Sequence, residues 1–223
     1  MLGQLSTFQD VLLKKLPPQL YKFIIKANKK MKTIVITGRI ATGKTTILKQ
    51  FSFLGAKSFS SDEMVNEIYE KDYEFFLKIK NLYPQTVEKG RINKTILSNL
   101  AFKNESVLNN LEEIIYPKLI QKRSKIIKNS YLNNVTTLVF EIPLVFEKKI
   151  SREFDLIVTT RCNKELQLQR YLKRKNTNLK KFNFINNKFF ESSKRLKNSD
   201  YIINTGNGMH HSLLLIKKLL INV

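Results

Sequence analysis

From Thr33 to Phe51 the chain reads TIVITGRIATGKTTILKQF. Within it, Gly38–Thr45 fits the pattern G-x-x-x-x-G-K-[ST], in which a glycine-containing loop binds phosphate groups. The five residues before the loop are apolar or β-branched and predict a buried parallel strand. From Thr46 onward apolar side chains recur at helical spacing, and Gly55 offers a stop. Strand, glycine loop and helix are the context that the motif requires, so the sequence predicts binding of a nucleoside triphosphate.

The chemistry of this loop follows from its expected geometry. Two glycines let the backbone turn so that successive N–H groups face an anion, and the helix N-terminus adds partial positive charge. Lys44 can reach the terminal phosphates, and the Thr45 hydroxyl can ligate Mg²⁺. The predicted nucleotide-binding residues are Gly38, Arg39, Ile40, Ala41, Thr42, Gly43, Lys44, Thr45 and Thr46. The alternative is a glycine-containing strand-to-helix turn that carries a solvated lysine.

Composition limits the classes of protein to consider. A chain of 223 residues, 42% of them hydrophobic, suits one large α/β domain or a core with an inserted subdomain. No stretch approaches the roughly 20 consecutive apolar residues of a membrane-spanning helix. The single cysteine, Cys162, excludes an internal disulfide and fits a reducing compartment, so we expect a cytoplasmic protein.

The net charge of +22, from 40 Lys and Arg against 18 Asp and Glu, is high for an enzyme. Three explanations are open: a nucleic-acid or anionic-membrane partner, a substrate with several phosphates, or a lysine-rich compositional bias. The basic residues are spread along the chain, with no dominant basic block interleaved with aromatic residues. This distribution favours compositional bias together with a phosphorylated substrate, and we expect no specific nucleic-acid partner.

The rest of the chain predicts a sheet interrupted by a helical insertion. Besides the strand before the loop, strands are predicted at 57–60, 136–140, 155–159 and 201–204. Because they alternate with helices, the predicted fold class is α/β, a P-loop NTPase-type parallel sheet flanked by helices. One domain is expected over residues 31–223.

Three segments of the chain stand out from this alternation. Residues 1–30 are interpreted as an N-terminal extension, with a targeting segment or membrane-surface helix as the alternative. Residues 63–130 are too long for an ordinary crossover and predict a helical insertion. Residues 170–198 are polar and basic, as expected of a lid. The oligomeric state is left open.

Two further groups of residues are candidates for catalysis. Asp62 follows the predicted strand 57–60, and ligands of open α/β sheets bind beyond the carboxyl ends of the strands. A carboxylate there could accept a hydroxyl proton, orient the hydroxyl or help to hold Mg²⁺, or it could simply start a helix. Arg170 and Arg174 are four residues apart on a predicted helix, so we expect one shared face that could stabilise a transferring phosphoryl group. Solvated surface arginines are the alternative for this pair.

From residue 31 to about residue 208 the chain resembles the dephospho-coenzyme A kinase family. The resembling segments, in chain order, are Thr37–Thr46, Leu54-Gly55, Ser60–Asp62, Tyr116–Ile120, Ile142–Glu147, Gln167–Arg174 and Ser199–Asn204 with Gly206 following. The segment Pro143–Glu147, which reads PLVFE, and the position of Asp62 are the most specific of these. The resemblance narrows the expected function to a small-molecule kinase.

The resemblance implies ATP-dependent phosphorylation of the ribose 3′-hydroxyl of dephospho-coenzyme A, with Mg²⁺ as cofactor. It implies that Lys44 and the loop backbone from Ile40 to Thr45 hold the β- and γ-phosphates, and that Thr45 with water holds Mg²⁺. Asp62, from its place after the strand, is the second candidate metal ligand. Asp62 would also orient or deprotonate the hydroxyl, and the two arginines would approach from the lid. The insertion would help to shape the acceptor pocket. The residues expected near the adenine are Asn204 and Gly206.

The chain departs from the family pattern at five positions. Arg39 and Ala41 replace glycines of the loop, which predicts a less permissive and more basic loop. Ser60 replaces the first of two aspartates, Tyr116 replaces a histidine, and Lys175 replaces an acid. We expect these departures to change contacts with the substrate more than the class of reaction. The alternatives are a kinase that phosphorylates a nucleoside or nucleotide and, more remotely, a basic NTP-binding protein that acts on nucleic acid.

Overall fold

The computed structural model describes residues 31–174, 177–187, 189 and 192–222. These residues divide into two compact units, one comprising those up to Ser60 and from Ser130 onward, the other Ser61–Asn129. The prediction of an extension over residues 1–30 lies outside the described residues. Among the described helices, none is both long enough and apolar enough to cross a membrane.

The structure contains seven strands and nine α-helices among its described residues. The strands are β1 Lys32–Thr37, β2 Lys57–Ser60, β3 Val87–Glu88, β4 Arg91–Ile92, β5 Thr137–Glu141, β6 Leu156–Arg161 and β7 Tyr201–Asn204. The helices are α1 Lys44–Phe53, α2 Ser61–Lys71, α3 Tyr73–Leu82, α4 Lys94–Lys103, α5 Glu105–Leu132, α6 Lys164–Leu172, α7 Leu179–Asn187, α8 Ser192–Lys197 and α9 Met209–Ile221.

Five strands form one parallel sheet in the order β2-β5-β1-β6-β7. In the central strand β1, Ile34, Val35 and Ile36 are fully buried. β-branched side chains buried on both faces are what a central parallel strand requires. The predicted fold class is confirmed, and all five predicted strands are present within two residues of their expected bounds. Because the strands are parallel, their carboxyl ends lie along one edge of the sheet.

Helices α1 and α9 pack against one face of this sheet. Ile47 and Phe51 of α1 and Ile216 of α9 share a buried cluster with Ile34 and Ile36 of β1. Each such apolar side chain stabilises the fold by about 2 to 3 kcal/mol when it is removed from water. This packing holds the first turn of α1 at the carboxyl edge of the sheet, directly after the loop.

The second unit consists of helices and a short hairpin. Its core contains Phe75 and Ile79 of α3 and Leu97 of α4, all buried. The antiparallel strands β3 and β4 pair through only four residues, and their turn places Lys89 and Gly90 at positive φ. The sequence predicted a mostly helical segment here and did not identify the hairpin, because two-residue strands are too short to show alternating hydrophobicity.

Candidate active site at the phosphate loop

The loop between β1 and α1 contains two glycines that no other residue could replace without strain. The backbone φ is +146° at Gly38 and +88° at Gly43, values that residues with a Cβ atom rarely adopt. A Cβ atom on Gly38 would lie 2.5 Å from the Thr160 hydroxyl oxygen, and one on Gly43 would lie 3.2 Å from the Thr205 side chain. The glycines are therefore required both by backbone conformation and by the close approach of neighbouring segments.

Ala41, which replaces a glycine of the resembling family, adopts a left-handed backbone with φ of +57°. This conformation costs a residue with a Cβ atom roughly 1 to 2 kcal/mol. The methyl group is buried and packs against Tyr171 of α6 and Phe182 of α7, which offsets part of that cost. Position 41 of the loop thus adopts the left-handed conformation for which glycine, the family's residue there, is best suited.

Lys44, Thr45 and Glu141 place charged and hydroxyl groups together at the first turn of α1. The Lys44 ammonium donates to the carbonyl oxygens of Gly38 and Arg39, at 3.1 and 2.9 Å. The Thr45 hydroxyl donates to Oε1 of Glu141, the last residue of β5, at 3.2 Å. A hydroxyl beside a carboxylate is a set of oxygen donors that suits Mg²⁺.

Side chains from three other segments hydrogen-bond to the loop. The Gln167 amide on α6 donates to the Ile40 carbonyl at 2.7 Å. The Thr205 hydroxyl, just after β7, donates to the Thr42 carbonyl at 2.8 Å. The hydroxyl oxygens of Thr42 and Thr160 lie 2.8 Å apart. Because these bonds satisfy polar groups of the loop within the protein, its shape is set before a ligand binds.

Only Arg170 of the arginine pair lies on helix α6, so the expectation that Arg170 and Arg174 share a face of one helix was wrong. Helix α6 ends at Leu172, where the Arg174 N–H bonds the Tyr171 carbonyl at 3.0 Å in a tightened turn. Arg174 therefore lies in the exposed segment after the helix. Arg170 stays on α6, and its guanidinium donates to the hydroxyl and the carbonyl of Thr205, at 2.8 and 3.0 Å.

The segment predicted to lie near the adenine starts at the end of β7. The Asn204 side chain accepts the Gly206 N–H at 3.1 Å, which closes a local turn. Thr205, between these two residues, contacts the phosphate loop through its bond to Thr42. The structure therefore joins this segment to the loop at the carboxyl edge of the sheet.

A cavity of about 450 Å³ adjoins the loop near the carboxyl ends of β6 and β7. Four of the described residues that line it are cationic, namely Arg39, Arg161, Lys164 and Arg195, and none of the described lining residues is acidic. Such a charge distribution favours a polyanionic ligand. Cys162 also lines the cavity, and burial raises the pKa of its thiol, so the group stays neutral and a poor nucleophile at neutral pH.

Asp62 belongs to the second unit and is the second residue of α2. The helix begins directly after β2. Asp62 and Glu63 place two carboxylates in its first turn, where they interact favourably with the helix dipole. The Asp62 side chain is exposed. This placement fits a helix-start role as well as a catalytic one, and the catalytic role stays a prediction.

Several residues that contact the loop or its strand were not identified from the sequence, and three of them illustrate why. Glu141 carried a usable signal, since it is an acidic residue at the end of an apolar strand. Thr205 belongs to no motif, and its contact with the loop depends on β7 lying beside β6. Arg195, which hydrogen-bonds the last residue of β1, could not be singled out among 40 basic residues by pattern alone.

Comparison with known proteins gives concordant results. A family model described as dephospho-CoA kinase matches residues 32–211. A protein of Bartonella quintana named dephospho-CoA kinase is 35% identical over 182 residues, covering 82% of this chain and 93% of the relative. A Thermus thermophilus crystal structure is similar with a TM-score of 0.73 at 22% identity, covering 86% of this chain and 98% of that one. A dephospho-CoA kinase from Campylobacter jejuni is similar with a TM-score of 0.59 at 22% identity, covering 86% and 97%. The two solved structures share the fold of this chain.

Proposed function

The chain belongs to the dephospho-coenzyme A kinase family, and from this membership we infer that it catalyses ATP-dependent phosphorylation of dephospho-coenzyme A. The acceptor is the ribose 3′-hydroxyl, and the products are coenzyme A and ADP. The observation that carries the proposal is the convergence of Lys44, Thr45 and Glu141 at the loop of a chain that matches this family over residues 32–211. The cytoplasm is the proposed compartment, supported by the free thiol of Cys162.

On the donor side, Lys44 and the loop backbone from Ile40 to Thr45 hold the β- and γ-phosphates of ATP. The proposal is supported by the Lys44 ammonium lying against the loop and by the first turn of α1, whose N–H groups carry partial positive charge. Arg39, a residue of the loop itself, adds a further positive charge. Phosphoryl transfer depends mainly on positioning and on stabilising charge, which are the contributions that these groups make.

Thr45 and Glu141 are the residues that would hold Mg²⁺, with Asp62 as a further oxygen donor predicted from the sequence. The fit rests on the Thr45 hydroxyl and the Glu141 carboxylate, which lie 3.2 Å apart and are both hard oxygen donors. When bound, Mg²⁺ neutralises charge on the phosphate oxygens.

On the acceptor side, Asp62 accepts the proton of the 3′-hydroxyl as that oxygen attacks the γ-phosphorus and the bond to ADP breaks. Its place in the first turn of α2, directly after a strand of the parallel sheet, supports this role. Arg174, exposed in the lid, approaches the transferring phosphoryl group. Arg170 acts on the nucleotide side, where it holds Thr205.

Replacing Glu141 with glutamine should raise the Mg²⁺ concentration needed for half-maximal turnover by about 10- to 100-fold or more, because loss of even a residue that only orients a metal ligand typically costs that much. The amide keeps the size of the side chain but removes the negative charge beside the Thr45 hydroxyl. Turnover is measured against Mg²⁺ at saturating ATP, with Glu113→Gln on the exposed face of α5 as a control for loss of one carboxylate. An unchanged Mg²⁺ dependence would exclude Glu141 from the metal site.

The proposed activity is tested by offering dephospho-coenzyme A, nucleosides and nucleoside monophosphates side by side and measuring ADP. We expect ADP and coenzyme A with dephospho-coenzyme A alone. ADP with a nucleoside or nucleotide, and none with dephospho-coenzyme A, would overturn the proposal in favour of another small-molecule kinase.

A further inference from the structure

Arg195 is a fully buried cation in the segment that returns from the lid to the sheet. Its side chain is only 2% exposed, and burial lowers the pKa of its guanidinium while the neighbouring Glu147 carboxylate opposes that shift. The guanidinium carbon lies 5.4 Å from the ring centres of Phe146 and Phe189. A charge removed from water in this way is tolerated only where hydrogen bonds and an opposite charge compensate it.

The partners of Arg195 come from two segments at the carboxyl edge of the sheet. Nη1 donates to the Thr37 hydroxyl at 2.8 Å and to the Pro143 carbonyl at 3.3 Å, and Nη2 pairs with Glu147. The Thr37 hydroxyl in turn donates to the same Pro143 carbonyl at 2.9 Å. The guanidinium therefore ties α8 to the end of β1 and to the segment after β5.

Thr37 is the residue directly before Gly38, where the phosphate loop begins. A contact that holds the Thr37 side chain therefore also constrains the backbone where the loop leaves the sheet. Arg195 borders the cavity beside the loop, but both of its terminal nitrogens bond protein groups and its side chain is buried, so its guanidinium is engaged within the protein. Its influence on the reaction must pass through Thr37 and through the Pro143–Glu147 segment.

We propose that Arg195 is a positioning residue, which holds the end of β1 and the Pro143–Glu147 segment in the arrangement that phosphoryl transfer needs. The inference rests on the proposed kinase function. It also assigns a physical role to the PLVFE segment, the most specific part of the family resemblance, because Pro143 and Glu147 are the groups that Arg195 binds. Arginine suits this role since its planar fork reaches several acceptors at once, whereas lysine offers one compact charge.

The test compares the same substitution at the two ends of β1. Thr37→Val removes the hydroxyl that Arg195 binds. Thr33→Val removes a hydroxyl that donates to Asp155 at 2.7 Å at the opposite end of the strand. We expect both variants to lose similar thermal stability, and only Thr37→Val to lose kcat/KM for ATP, by about tenfold or more, because a displacement of about 1 Å can cost about 100-fold in rate.

A second pair of variants separates charge from geometry. Arg195→Met should lower both the unfolding midpoint and kcat/KM. Arg195→Lys can still pair with Glu147, so it should regain much of the stability but little of the turnover. Recovery of stability and turnover together in Arg195→Lys, or equal turnover in Thr37→Val and Thr33→Val, would show a purely structural role and overturn the proposal.

The readouts keep this inference separate from the proposed function. If the unmodified protein produces no ADP from dephospho-coenzyme A, the kinase proposal fails. The two threonine variants are then compared by ADP affinity in titration calorimetry, where a loss confined to Thr37→Val supports positioning of the loop. Equal affinities would overturn it.

Discussion

Replacing Lys44 with alanine should lower kcat/KM for ATP about 100- to 1000-fold, the range typical for loss of one preorganised charge that stabilises a transition state. The reason is geometric. Lys44 is only 8% exposed and its ammonium lies against the loop carbonyls of Gly38 and Arg39, so an exposed lysine elsewhere on the surface should not replace it in the proposed contact with the phosphates. Steady-state turnover with dephospho-coenzyme A measures the effect.

Lys49→Ala is the matched control for this prediction. Lys49 lies on the same helix but is exposed, so its loss changes the net charge by the same amount and should leave turnover unchanged. If the two alanine variants had equal kcat/KM, the loop would be a structural turn and not a phosphate site.

Replacing Asp62 with asparagine should leave ATP binding intact and lower kcat about 100- to 10,000-fold, the contribution typical of a positioned general base. Asparagine keeps the size and the hydrogen-bonding capacity that a helix start needs, but it cannot accept the hydroxyl proton. Nucleotide affinity from calorimetry and kcat from ADP release, measured on the same preparation, separate binding from chemistry.

Glu63→Gln serves as the control for Asp62, because it removes the neighbouring carboxylate of the same first helical turn. Loss of the helix dipole interaction alone should affect both variants alike and only slightly. Near-normal kcat in Asp62→Asn would reduce Asp62 to a helix-start residue and move the search for the base elsewhere.

The phosphate loop was predictable because its determinants are local. Gly38 and Gly43 are needed where φ is positive and where a neighbouring segment comes close, and the flanking strand and helix show their own periodicity. Glu141, the acidic residue at the end of β5, could have been identified from local sequence in the same way. Glu141 ends a buried apolar strand, and it is this strand's place beside β1 that brings the carboxylate to Thr45.

In the predicted lid, helical spacing alone did not predict the positions of Arg170 and Arg174. Two arginines four residues apart share a face only while the helix continues, and α6 ends between them at Leu172. The turn that ends it is a backbone hydrogen bond from Arg174 to Tyr171, and no glycine or proline stands there to signal it. Arg170 then finds its partner on Thr205, 35 residues further along the chain.

By itself the sequence determined the class of fold, the phosphate loop and the family, because each depends on neighbouring residues or on motifs in chain order. Only the tertiary structure decided which side chains support the loop. Thr45 and Glu141 are 96 positions apart, and Thr37 and Arg195 are 158 apart. Such pairs meet because parallel strands distant in the chain are neighbours in the sheet, with their carboxyl ends along one edge. No periodic pattern in the sequence indicates that the residues of these pairs are close in the fold.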